Sequence, residues 1–156
     1  MKFLMDADCL IKLTKAGLKN LVGSKDIIFI PEVVQREVVY AGKEKGCADA
    51  LMVEKNIEAH VVKVTEASSD YTRGDEALLT HFKRKDYDAV ATDDAKLARF
   101  LRITGIPVIL PALIIYHLFQ DGVIDRKTAL WALKQLAKFI SDDEYSTVRL
   151  LMEEKK

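Results

Sequence analysis

The chain has 156 residues, 49% of them hydrophobic and 31% charged, and its 24 Lys and Arg balance 24 Asp and Glu to a formal net charge of +0. That length suits one domain able to bury about 70% of its unfolded surface, and the composition excludes an intrinsically disordered chain. The balanced charge excludes capture of nucleic acid by global attraction, so such a partner must be held by local basic patches.

Met1 to Met5 runs straight into Asp6 without the apolar core and cleavage site of a signal peptide. The longest apolar stretch, 106–119, is broken by Pro107, Pro111 and His117 and falls short of the ~20 residues of a membrane span. Cys9 and Cys47 form no CxxC pair and read as reduced thiols without a metal role. A cytoplasmic protein whose mature form starts at Met1, with no membrane association, is expected.

Phe3-Leu4-Met5 reads as a short buried strand. Leu10, Leu13, Gly17, Leu18 and Leu21 then recur near helical period, with Asp8 as the predicted N-cap. Ile27 to Ile30 is a second strand, and Pro31 at a first helical position opens a helix carrying Val34, Val38 and Ala41 on one face. A polar helix over 48–55 leads to a third strand over 60–64, and a loop rich in Ser and Asp ends at Gly74, where a helix with Leu78, Leu79 and Phe82 begins. Residues 88–92 form a fourth strand, a helix carries Leu97, Ala98 and Leu101, Gly105 stops it, and 107–109 form a fifth strand.

Alternation of apolar strands with helices over residues 1–110 predicts a three-layer α/β/α fold around a central parallel sheet. Residues 111–156 read as a helical extension of the same single domain, with a stripe of Leu130, Leu133, Leu136, Ala137 and Ile140 and a capping box at Ser141 and Glu144. Its surplus apolar surface is expected to pack on the α/β body, with a subunit interface as the alternative.

Acidic residues recur where strands hand over to helices: Asp6 and Asp8, Asp75 and Glu76, Asp93 and Asp94, joined by Glu37 beside the buried stripe of its helix. Functional sites gather at strand carboxyl ends in such folds. Clustered carboxylates repel unless they hold protons or a metal, and hard oxygen donors without Cys or His suit Mg²⁺ or Mn²⁺. Asp6, Glu37, Asp75 and Asp94 are the leading set; Asp93, Asp8 and Glu76 are further candidates. Asp75 and Asp94, each three residues before a core leucine, are expected to face inward. Lys12, Lys15 and Lys19 on one face of the first helix, with Arg99 and Arg102 after the last acid pair, are the cations nearest the predicted site. Lys83, Arg84 and Lys85 read as a helix C-terminus, and His60, His81 and His117 as surface or packing residues.

In order and spacing, Asp6, Glu37, Asp75 and Thr92-Asp93-Asp94 resemble the PIN-domain ribonucleases. Leu10-Ile11-Lys12-Leu13, Ile30-Pro31-Glu32-Val33-Val34, Gly74-Asp75-Glu76-Ala77 and Thr104-Gly105-Ile106-Pro107-Val108 are similar to a prokaryotic, toxin-like branch of that family. The resemblance implies metal-dependent hydrolysis of RNA phosphodiesters, with Asp6, Glu37, Asp75 and Asp94 as catalytic metal ligands and Thr92 orienting the site. Either member of the Asp75/Glu76 and Asp93/Asp94 pairs can serve, and Asp8 stands where the family usually has Asn or Ser. It also implies a small antitoxin partner and a homodimer. Two other readings stay open: a catalytically inactive RNA- or protein-binding relative, and a haloacid-dehalogenase-like phosphatase, which Met5-Asp6-Ala7-Asp8 after a strand also resembles.

Overall fold

The computed structural model describes residues 1–65, 74–84 and 86–155, the side chains of Asp75 and Arg84 aside. The element order is β1 (Lys2–Met5), α1 (Ala7–Lys15), α2 (Lys19–Gly23), β2 (Ile27–Ile30), α3 (Glu32–Gln35), a π-helical stretch (Arg36–Tyr40), α4 (Ala41–Glu44), α5 (Ala48–Glu58) and β3 (Val62–Val64). There follow α6 (Gly74–Arg84), β4 (Ala89–Ala91), α7 (Ala95–Ile103), β5 (Val108–Ile109), α8 (Pro111–Gln120), α9 (Arg126–Leu136) and α10 (Asp142–Glu154). The expected Ser- and Asp-rich loop before Gly74, and Lys85, lie outside the described residues.

The five strands pair in parallel in the order β3-β2-β1-β4-β5. Successive side chains of a strand point to opposite faces. Phe3 and Met5, Ile28 and Ile30, and Ala89 and Ala91 therefore enter one apolar cluster, while Leu4, Phe29 and Val90 enter another. The first cluster is completed from α1, α2, α5, α8, α9 and α10, the second by Leu78 of α6 and Leu97 and Leu101 of α7. This is the predicted three-layer α/β/α arrangement, with helices on both faces of a parallel sheet.

The C-terminal helices complete the core: Ile114, Ile115 and Leu118 of α8, Ala132, Leu133 and Leu136 of α9, and Val148 and Met152 of α10 all belong to the first cluster. Two details differ from the sequence reading. Leu130 is 39% exposed, so the buried stripe of α9 runs through Ala129 instead. Ser141 does cap α10, accepting the Glu144 N–H at 3.1 Å, but the Glu144 carboxylate does not return the bond. It accepts the Ala112 N–H at 2.9 Å and so fastens α10 to the first turn of α8.

The expected first helix is two helices. α1 ends at Lys15, Gly17 takes a φ of 73°, and the Leu18 and Gly17 N–H groups donate to the Leu13 and Thr14 carbonyls at 2.9 and 3.0 Å, a helix stop that needs a left-handed residue. Lys19 consequently leaves the face of Lys12 and Lys15; it is buried, and its Nζ donates to the Met52 carbonyl at 3.3 Å. In the next unit Pro31 is the N-cap and not the first helical residue. The π-helical stretch shifts the helical phase, burying Val38 and Val39 and then Gly42 where the sequence pointed to Ala41. A Cβ on Gly42 would lie 2.9 Å from the Ala50 Cβ, so glycine lets α4 approach α5.

Candidate functional site

The chain runs from β1 outward through β2 to β3, then returns to place β4 and β5 on the other side of β1. The reversal leaves a crevice between the carboxyl ends of β1 and β4, where ligands bind in open α/β sheets. Asp6 follows β1 and Thr92-Asp93-Asp94 follow β4, so two acidic motifs 86 positions apart meet. The Asp6 N–H donates to the Ala91 carbonyl at 3.1 Å and the Thr92 N–H to the Ile109 carbonyl at 3.1 Å, extending the sheet bonding to the edge of the crevice.

Asp6 is 7% exposed. Its Oδ1 accepts the Cys9 N–H at 2.8 Å, and its Oδ2 accepts the Thr92 hydroxyl. Asp6 is thus the N-cap of α1, and Asp8, expected in that role, lies in the first turn. The extended backbone of Asp6 meets the requirement for a cap, whereas Asp8 is already helical. Burial pushes the Asp6 carboxyl up to about 7; the Thr92 and Cys9 hydrogen bonds hold it down in part, and Asp8 and Asp93 add repulsion. Thr92, fully buried, also accepts the Asp94 N–H on its hydroxyl oxygen at 3.1 Å. Asp94 in turn caps α7, accepting the Leu97 N–H at 2.9 Å, and is exposed and not turned into the core as expected.

Asp6, Asp8, Glu37 and Asp94, with Ala7, Val34 and Leu78, line one cavity of about 150 Å³. Glu37 reaches it from the π-helical stretch and is exposed at the rim, not sheltered at the border of the buried stripe. Asp75 and Glu76 belong to α6, the helix that contributes Leu78; Glu76 is exposed, and the Asp75 side chain lies outside the described residues. Among the described residues no three Asp, Glu, His or Cys side chains are gathered tightly enough to grip an ion directly. The donor chemistry still fits a hard cation. Mg²⁺ keeps several of its waters and needs only one or two direct carboxylates, so a polar cavity walled by four of them suits a hydrated ion. A cation there would also offset the burial that raises Asp6 and the smaller repulsion that Asp8 and Asp93 add.

Asp93 turns away from this cavity. It pairs with Lys12 and lines a second, larger cavity of about 560 Å³ between α7, α8 and α10, together with Arg99, Arg102 and Glu144. Burial lowers the Lys12 ammonium, but Asp93, Asp8 and Glu144 outweigh it and the net shift is upward. Burial raises the Glu144 carboxyl and Asp93 adds to the shift, against the Ala112 N–H and Lys12. Sequence reading missed Glu144 here: its spacing from Ser141 is fully explained by a helix cap, and only packing turns it toward α8. Burial and the surrounding carboxylates push the Cys9 thiol well up, leaving it protonated and unsuited to nucleophilic chemistry. No histidine lines the carboxylate cavity. His81 is buried with its Nε2 3.5 Å from the Thr65 hydroxyl, and the His117 Nε2 lies 3.5 Å from Asp121, both packing roles.

None of the curated proteins matches this chain. The family model described as PIN domain matches residues 2–154, covering β1 through α10 and every carboxylate just described. The chain therefore belongs to the PIN-domain family.

Proposed function

We propose that the protein is a divalent-metal-dependent endoribonuclease that hydrolyses RNA phosphodiester bonds in the carboxylate cavity at the β1/β4 switch point. The observation that carries this reading is the gathering of Asp6 and Asp8 from the start of α1, Glu37 from the π-helical stretch and Asp94 from the start of α7 on one small polar cavity. Membership of a family with a nuclease-like fold supports it and leaves the phosphatase reading without support.

Asp6, Glu37, Asp75 and Asp94 are the proposed holders of Mg²⁺ or Mn²⁺, with Asp8, Asp93 and Glu76 as their neighbours. When bound, such an ion lowers the pKa of a coordinated water and stabilises charge on the phosphate. The protein's own contribution is preorganisation. Thr92 fixes one Asp6 oxygen and the Cys9 N–H the other, so the carboxylate cannot rotate away. Through its second bond Thr92 also sets the start of α7, and with it Asp94. Lys12 is held by Asp93, the neighbour of Asp94, and is the proposed cation for an anionic substrate. An inactive binding module would retain the fold but not the metal dependence. The finer reading is a cytoplasmic toxin that dimerises and is neutralised by a small antitoxin; no helix among the described residues is long and apolar enough to cross a membrane.

The deciding experiment is incubation with mixed single-stranded RNAs in Mn²⁺ or Mg²⁺, beside a chelated control and Asp6→Asn. Cleavage that needs metal and disappears in Asp6→Asn is the expected result. Cleavage surviving the substitution, or none by the wild type, sinks the reading. Growth arrest on expression, relieved by Asp6→Asn, tests the toxin role.

A further inference from the structure

The larger cavity and the carboxylate cavity have no lining residue in common, but they are lined by consecutive residues, Asp93 in the one and Asp94 in the other. Arg99 and Arg102 stand three residues apart on α7, hence on one face, and both line this groove. Both are exposed, and neither guanidinium has a hydrogen bond or ion pair among the described residues. Two unpaired guanidiniums side by side repel unless an anion joins them. Across the groove the acids are disposed differently. Glu144 is committed to the Ala112 N–H and Asp93 to Lys12, so Asp143 is the remaining unpaired acid of the lining. The Ala112 N–H leaves the formal charge of Glu144 in place, so Arg99 and Arg102 stand against Asp143 and Glu144 and the charges of the groove balance, with both guanidiniums gathered on its α7 wall.

We propose that this groove holds the nucleotide next to the scissile phosphodiester of a single-stranded RNA, with Arg99 and Arg102 on its phosphate and Asp143 facing the edge of its base. The proposal rests on the ribonuclease reading of the carboxylate cavity. A volume of about 560 Å³ takes one nucleotide and not a duplex. Guanidinium forks match phosphate oxygens, and a carboxylate accepts from base amino and imino groups on an unpaired Watson–Crick edge. Leu110 and Leu113 supply an apolar wall for the base.

The test is fluorescence anisotropy with a labelled single-stranded RNA of about twelve nucleotides in Mg²⁺ over a range of salt. All proteins carry Asp6→Asn so that binding is read without cleavage. Arg99→Ala/Arg102→Ala is compared with Arg99→Lys/Arg102→Lys and with Lys134→Ala/Lys138→Ala, an equal charge loss at the end of α9 and just past it, where neither residue lines the groove. The Arg-to-Ala pair is expected to weaken binding about tenfold or more and to reduce the log–log salt slope by about 1.4, the loss of two single-strand phosphate contacts. The Lys pair retains most of the slope, and the α9 pair behaves as the parent. The proposal is overturned by parental affinity and slope in the Arg-to-Ala pair, by equal loss in the α9 pair, or by absence of RNA binding. Binding of a poly-glutamate peptide in place of RNA overturns it in favour of an acidic protein partner. The ribonuclease reading fails separately, if the wild type binds RNA through these arginines yet cleaves none with Mn²⁺ or Mg²⁺.

Discussion

Asp6 combines two duties that its sequence position alone could not separate, capping α1 and presenting a carboxylate at the sheet edge. Its place after a buried strand made it legible as a site candidate; its burial and its bond to Thr92 are products of β1–β4 pairing. The folded carboxyl, pushed up to about 7, lies above the ordinary aspartate value of 3.8, so the folded state binds the proton more tightly than the unfolded one. The resulting stabilisation is complete below about pH 4, drains away as pH rises toward 7, and is absent above. Metal-free wild type is therefore expected to lose melting temperature relative to Asp6→Asn across that window, by about 2–4 °C for each kcal/mol involved. Parallel thermal melts that keep a constant offset from pH 4 to 8 would refute this. Thr92→Val removes both the donor to Asp6 and the acceptor for the Asp94 N–H, and is expected to cost about 1–3 kcal/mol in urea unfolding. Thr92→Ser should recover most of the loss, since it keeps the hydroxyl.

At the scale of elements, hydrophobic period identified strands and helices but not their internal breaks. The split between α1 and α2 turns on the left-handed Gly17, and the π-helical stretch on one residue of extra phase; neither disturbs the average spacing of apolar residues enough to be read. The stop at Gly105 was legible because glycine followed by an apolar residue and proline has few other uses, and its N–H and that of Ile106 close the end of α7 at 3.1 and 2.9 Å. Glu144 illustrates the opposite case, a residue whose local role as a cap partner was replaced by a bond to another helix. Glu144→Ala strands the Ala112 N–H and is expected to destabilise the α8–α10 contact by about 1–3 kcal/mol, with Glu144→Gln close to wild type. Equal urea midpoints for the two variants would show that the bond contributes nothing. Gly42→Val, which forces a branched side chain against Ala50, is expected to cost at least about 1–3 kcal/mol by the same measurement.

At the scale of the molecule, the carboxylate cavity predicts linkage between metal and stability. Mg²⁺ or Mn²⁺ at about 100 times its dissociation constant should stabilise the wild type at pH 8 by about 2.7 kcal/mol, and Asp6→Asn much less. Melts without a metal-dependent difference between the two proteins would remove Asp6 from the proposed ligand set.

By itself the sequence determined the fold class and the sheet edge at which the candidate acids emerge. Strand runs apolar on both faces can only be buried between two helical layers, and acids directly after such strands must emerge at one sheet edge. Tertiary structure alone decided which acids share a cavity. Asp93 and Asp94 are adjacent in the chain with the same charge, yet the turn into α7 sends Asp94 to Asp6 and Glu37 and sends Asp93 to Lys12 and the Arg-lined groove. A difference in side-chain direction between neighbours is set by backbone dihedrals and strand order, which no pattern of residue types encodes.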